Sequence, residues 1–232
     1  MWIGAAGVAA ATGFLAYAVR GRSSSLFGSS VYHGDRRQPS LALTFDDGPS
    51  ESTPALLAIL QKHNVPATFF MCGANVRRCP HIAREVRQRG HEAGNHTDSH
   101  PRLDFKSPAF IFGEIARAQE AIQQTTGAAP LWFRAPYGVR WFGVGAAQRN
   151  LGLRGVMWTT IGRDWRWPSD RITRLLLHTA SNGAIFCLHD GRGVAPRPDI
   201  RATLAAVDQA IPRLQDRGFR FQTLSQMLCP AN

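Results

Sequence analysis

From residue 40 onward, short apolar runs alternate with longer stretches whose apolar residues recur at helical spacing. The runs at 41–45, 67–71, 91–94, 131–133, 155–160, 184–188 and 219–223 fit buried strands. The stretches at 53–63, 81–89, 108–126, 143–151, 169–180 and 200–217 fit amphipathic helices. Such alternation predicts an α/β fold built on a parallel sheet, either open or closed into a barrel. Ahead of this pattern, residues 2–19 carry no charge and are rich in Ala, Gly, Leu, Ile and Phe. Three readings compete for them: an uncleaved membrane anchor, a secretory signal, or a buried helix. A signal peptide should begin with a basic region, which is missing here, although Ala16-Tyr17-Ala18 resembles a cleavage site. The anchor is preferred, and its orientation stays open even though Arg20 and Arg22 follow it. Residues 21–39, with their serine clusters, read as a flexible tether. The chain thus divides into an apolar segment at 1–20, a tether at 21–39 and a folded domain at 40–232.

Composition narrows the partners. The formal net charge of +11 is almost all arginine, since Lys62 and Lys106 are the only lysines. A basic surface favours anionic lipid, acidic wall polymer or nucleic acid. The arginines are scattered and no basic tail or RNA-binding signature occurs, so nucleic acid is not expected. Cys72, Cys79, Cys187 and Cys229 form no C-x-x-C pair, and a structural zinc knuckle is not expected. A Cys72–Cys79 disulfide is allowed outside the cytoplasm, and reduced thiols are equally allowed.

The polar residues collect just after the expected strands. Asp46-Asp47 follows the first, His96-Thr97-Asp98-Ser99-His100 the third and Arg134-Ala135-Pro136-Tyr137-Gly138 the fourth. Asp164-Trp165 follows the fifth and His189-Asp190-Gly191 the sixth. Parallel α/β folds bind ligands at the carboxyl ends of their strands, so these clusters should meet at one mouth. Adjacent carboxylates repel and need a cation or proton to share a pocket. His96 and His100, spaced i and i+4, can aim two imidazoles at one point. Two imidazoles and one carboxylate make a three-ligand metal site with room for water.

In order, Thr44-Phe45-Asp46-Asp47-Gly48-Pro49, His96-Thr97-Asp98-Ser99-His100, Arg134-Ala135-Pro136-Tyr137 and the His189 segment resemble the motifs of the polysaccharide deacetylase family. This is the NodB-homology domain of carbohydrate esterase family 4, and the resemblance runs from Ser40 to Cys229. It implies a distorted, incomplete (β/α) barrel, here with an N-terminal apolar helix, and one divalent metal, usually zinc. By similarity, Asp47, His96 and His100 would hold the metal. Asp46 would be the general base, with Arg134 as its counter-ion. The Tyr137 N–H would help to form an oxyanion hole. His189 would be the general acid, with Asp164 behind it. Trp165, Phe186 and Pro136 would line the substrate pocket.

Two departures stand out. Ile161 occupies a position where the family often has a further Asp, which loosens the match around Asp164. Phe186 stands where a leucine commonly walls the acyl pocket, so a small acyl group, acetyl or formyl, is expected. The resemblance therefore implies a hydrolase that removes N-acetyl groups from an amino-sugar glycan of the cell envelope, with the chain anchored in the membrane or exported. Its rivals are a deformylase on a lipid-linked sugar and a non-catalytic glycan-binding protein. His91, between a helix and a strand, reads as structural, and Asp98 is left out of the metal set.

Overall fold

The computed structural model describes residues 2–229. It begins with α1 (Trp2–Arg20), β1 (Ser30–Val31), β2 (Ser40–Gly48), α2 (Thr53–Lys62), β3 (Thr68–Met71), α3 (Gly73–Arg78), α4 (Pro80–Gln88) and β4 (Glu92–Asn95). There follow α5 (Pro108–Thr126), β5 (Trp132–Phe133), α6 (Val144–Asn150), β6 (Arg154–Val156), β7 (Thr160–Ile161) and α7 (Ser169–Thr179). The chain continues through β8 (Ala184–His189), α8 (Arg201–Asp216), β9 (Arg220–Phe221) and α9 (Leu224–Leu228). The helices start where the sequence supplies caps. Ser107 accepts a hydrogen bond from the Phe110 N–H ahead of α5, and Thr223 with Gln226 forms a capping box on α9.

The nine strands among the described residues join one sheet through parallel pairs, in the order β1-β6-β5-β4-β3-β2-β8-β7, with β9 also on β2. Among the described residues β1 and β7 do not pair, so the curled sheet stays open and forms an incomplete (β/α) barrel. Strand alternation sorts its two faces. Leu41, Leu43 and Phe45 of β2, with Phe186 and Leu188 of β8, pack outward against α2, α7 and α8. Ala42 and Ile185 face inward, where they meet Phe70, Trp132 and Val156. Leu224 and Met227 of α9 close the base of that apolar interior. Further up the inner face the next residues are Thr44 and Asp46 on β2, and Cys187 and His189 on β8. The interior thus changes from apolar to polar towards the carboxyl ends of the strands.

Three features differ from the sequence reading. The run expected as one strand at 155–160 splits into β6 and β7, which lie near opposite ends of the sheet order. Between them the chain crosses the open side of the barrel, where the Met157 N–H donates to Val31 and the Thr159 N–H to Ile185. A continuous apolar run cannot reveal such a crossing, because both halves are buried. Residues 21–39, expected as a flexible tether, carry β1 paired with β6 and a buried Phe27 set against Trp141 and Phe142. The Arg140 guanidinium donates to the carbonyls of Gly21, Ser24 and Gly28 and holds the segment down. Finally, no helix among the described residues is long and apolar enough to cross a membrane. The expected spanning anchor is not supported: α1 is rich in Ala and Gly, whose burial in lipid gains little. The four cysteines are free thiols.

Candidate active site

Asp46 and Asp47 lie near the end of β2, just before Gly48, at a register irregularity against β3. Asp47 has φ 74°, a left-handed conformation that is rare outside glycine, asparagine and aspartate. An extended strand would place the two carboxylates on opposite faces; this twist turns Asp47 back so that both reach the same cleft. The Asp47 backbone carbonyl accepts from Asn75 Nδ2 at 2.8 Å, and its Oδ2 accepts from the Gly193 N–H at 2.8 Å. Its Oδ1 is buried without a hydrogen bond, 2.9 Å from His100 Nε2 and 3.3 Å from His96 Nε2.

The two histidines lie in the loop after β4, not on a helix. Thr97 (φ 66°) and His100 (φ 59°) are both left-handed, and Asn95 Oδ1 accepts from the Thr97 N–H to stabilise the turn. Backbone strain of this kind persists where surrounding contacts impose it and gathers at functional sites. His96 Nδ1 lies 2.7 Å from the Arg134 carbonyl, which can only accept, so Nδ1 carries the proton. The Nε2 lone pair then faces the Asp47 carboxylate. Acceptor facing acceptor is repulsive unless a cation lies between them. The orphaned Asp47 oxygen, with two imidazoles around it, therefore fits a divalent metal, and the three ligand atoms lie within 4.8 Å of one another. Burial opposes charge on Asp47; with imidazole protons rather than an ion between the groups, donation from His100 and His96 holds its carboxyl well below the usual range.

Asp46 lies in register with His189 across the β2–β8 pair. Its Oδ1 accepts from Arg134 Nη1 at 2.7 Å, and the same nitrogen reaches Thr44 Oγ1 at 2.7 Å. Arg134 is fully buried, with its guanidinium 4.2 Å from the centre of the Phe70 ring. A buried arginine needs such compensation, and a carboxylate, a hydroxyl and an aromatic face provide it. The other Asp46 oxygen lies 3.4 Å from Cys187 Sγ.

Asp164 lies directly behind His189. Its Oδ1 is 2.8 Å from His189 Nδ1, and its Oδ2 accepts from the His189 N–H and the Thr203 hydroxyl. Burial alone would lower the His189 pKa, but the Asp164 charge and hydrogen bond outweigh it and push the value up to about 9. Asp164 is likewise opposed by burial and held low by His189. Trp165 stands edge-on to the His189 ring at 5.0 Å and is half-exposed.

Asp46, Asp47, His96, His100, Trp165 and His189 line one cleft of about 550 Å³, together with Tyr137, Trp158, Ile161, Cys187 and Arg192. Tyr137 is left-handed at φ 59° and meets the His100 ring edge-on, with centroids 4.7 Å apart. The fold thus brings Asp46, Asp47, His96, His100, Tyr137, Asp164, Trp165 and His189 to one place, with Arg134 bonded beneath them. Two expected residues lie elsewhere. Phe186 is on the outward face of β8, in the core beneath the helices, because it is one residue out of phase with Cys187 and His189. Pro136 is buried and does not line the cleft. The inward residues Ile161, Trp158 and Cys187 stand where Phe186 was expected. The sequence reading also passed over Thr44, Asn75 and Thr203, which orient the charged groups; a hydroxyl or amide within a strand or helix carries no signal of its own. Asp98 is taken up by Arg77 and Arg117.

Comparison with known proteins adds to this geometry. The sequence profile of the polysaccharide deacetylase family matches residues 33–156. A chitooligosaccharide deacetylase of Bradyrhizobium sp. (strain ANU 289) is 40% identical over 197 residues, covering 81% of this chain and 90% of its own. This chain belongs to the polysaccharide deacetylase family. A further polysaccharide deacetylase, a peptidoglycan-N-acetylglucosamine deacetylase of Bacillus cereus, is 34% identical over 85% of this chain and 71% of its own. The crystal structure of a peptidoglycan N-acetylglucosamine deacetylase superposes with a TM-score of 0.81 at 32% identity, over 86% of this chain and 92% of that one. Its likeness establishes the polysaccharide deacetylase barrel as the architecture of this chain, and its relatives are hydrolases of amide bonds in glycans.

Proposed function

We propose that this chain removes N-acetyl groups from an N-acetylated amino-sugar glycan of the cell envelope. The observation that supports it is one cleft holding a metal-type donor set, a carboxylate with a buried counter-ion and a carboxylate-backed histidine. Asp47, His96 and His100 would hold a divalent cation, with zinc the best match to one carboxylate and two imidazoles. Bound there, the cation supplies Lewis acidity to the acyl oxygen and to the attacking water.

The protein's own groups supply the rest. Asp46, fixed by Arg134, which is itself anchored on Thr44, accepts the proton of the attacking water. The Tyr137 N–H donates to the oxyanion that develops on the amide oxygen. His189, kept protonated by Asp164, gives its proton to the departing amine, a poor leaving group without it. Base and acid thus have distinct environments, as one site performing both tasks needs. Ile161, Trp158 and Trp165 would enclose the acyl group and exclude water around it.

The test is product analysis over N-acetylated chitooligosaccharide, peptidoglycan fragments and N-formyl analogues, with and without chelator. Acetate release that stops on metal removal and returns with zinc is expected. Full activity after complete chelation would refute this reading, and formate release alone would redirect it to a deformylase.

A further inference from the structure

Cys187 has no part in the reading above, yet it occupies the inner face of β8 two residues before His189. Residues two apart on a strand share a face, and Asp46 on β2 lies in register with His189. The result is a second convergent donor set. Ligand atoms of Asp46, Cys187 and His189 all lie within 4.8 Å of one another. The tightest pair is Cys187 Sγ and Asp46 Oδ2 at 3.4 Å, close to the spacing of two ligands on one tetrahedral ion. The set opens onto the cleft, so an ion has a route to it.

The two donor sets differ in kind. Asp47, His96 and His100 offer only oxygen and nitrogen. The second set adds sulfur, the ligand preferred by soft and borderline ions. We propose that Asp46, Cys187 and His189 form a second site, which takes a thiophilic divalent ion such as Zn²⁺ in excess or Cd²⁺ and shuts the enzyme off. The assignment of the ion site rests on geometry alone, whereas its inhibitory effect rests on the roles proposed for Asp46 and His189. On binding, the Cys187 S–H bond breaks heterolytically. The sulfur electron pair goes to the ion and the proton to solvent, with no change of oxidation state. The bound ion also takes a lone pair of Asp46 and the Nε2 pair of His189, whose imidazolium proton leaves to solvent as the thiol proton does. The groups that would accept and donate protons in hydrolysis are then both occupied. A hard ion such as Mg²⁺ would leave the thiol protonated and should not inhibit this way.

The experiment is a cadmium titration of the full chain carrying one equivalent of zinc, followed by the ultraviolet cadmium–thiolate charge-transfer band. Cadmium exchanged into the Asp47–His96–His100 site gives no such band, since no sulfur is present there. Cys229 is exposed, so Cys229→Ser is the parent protein. Its band should saturate at one cadmium per chain, in step with loss of deacetylation. Adding Cys187→Ser should abolish the band and raise the cadmium inhibition constant at least about tenfold, each protein being referred to its own uninhibited rate. Cys187→Ala, with an unfolding curve alongside, guards against a folding artefact, and Asp46→Asn should weaken the band while keeping the thiol. A band that persists without Cys187, or none at all, overturns the site. Hydrolysis that continues at full band saturation overturns the inhibition and with it the roles given to Asp46 and His189. Inactivity before any cadmium is added would instead count against the proposed function.

Discussion

Asp46 and Asp47 are neighbours in sequence with different partners. The left-handed backbone at Asp47 aims it at His96 and His100, while Asp46 stays in the strand and meets Arg134. Replacing Asp46 by Asn should therefore lower kcat by about 10²–10⁴-fold and leave one metal per chain bound. Turnover near the wild-type rate, with metal content measured on the same sample, would remove Asp46 as the base. His189 poses the complementary case. As a proton donor it works below its pKa, so activity should fall as pH rises through about 9. Asp164→Asn deletes the charge that holds this value up, and the alkaline limb of kcat/KM should move to lower pH. If that limb stays in place, the acid is another group.

At the level of elements, the strand period decides which residues can act. Phe186 lies between two inward residues and is therefore fixed in the outer core. Phe186→Ala should cost about 3–5 kcal/mol of stability by leaving a cavity. It should hardly change the preference among acyl groups. Ile161→Ala at the end of β7, by contrast, should raise the rate on propionyl relative to acetyl substrates, because Ile161 lines the cleft. A panel of N-acyl glucosamine oligomers, read alongside thermal unfolding, tests both expectations. The same period explains what was legible beforehand. Polar clusters after apolar runs located the cleft and most of its charged members, since a carboxylate or imidazole at a strand end stands out. Face assignment did not follow from the resemblance at Phe186, because it needs the register of β8 against β2. The crossing at 157–159 and the docking of 21–39 were hidden too, since buried connections and strands share one composition.

For the molecule as a whole, stability should depend on pH through a histidine remote from the chemistry. His91 is buried, its Nδ1 accepts from the Ala67 N–H, and desolvation lowers its pKa to about 4 from 6.5. Protonation is thus easier in the unfolded chain. The stabilisation is complete above pH 6.5 and is lost as pH falls towards 4, a change of about 3 kcal/mol at most. His91→Asn, which can still accept that hydrogen bond, should flatten the acid limb of Tm against pH, and an unchanged limb would assign it to other groups. Beyond titration, the clasp between Arg140 and the carbonyls of Gly21, Ser24 and Gly28 bears on how the protein can be trimmed. A fragment cut at residue 40, where the sequence pattern places the start of the domain, would lose β1 and bare one side of β6. An uncovered strand edge recruits other chains. That fragment should elute as soluble oligomers in light-scattering chromatography, while a version beginning at residue 20 keeps the size of the full chain. Starting one residue later would delete Arg20 from the rim of the cleft, so the end of α1 belongs with the catalytic body in any engineering of this enzyme.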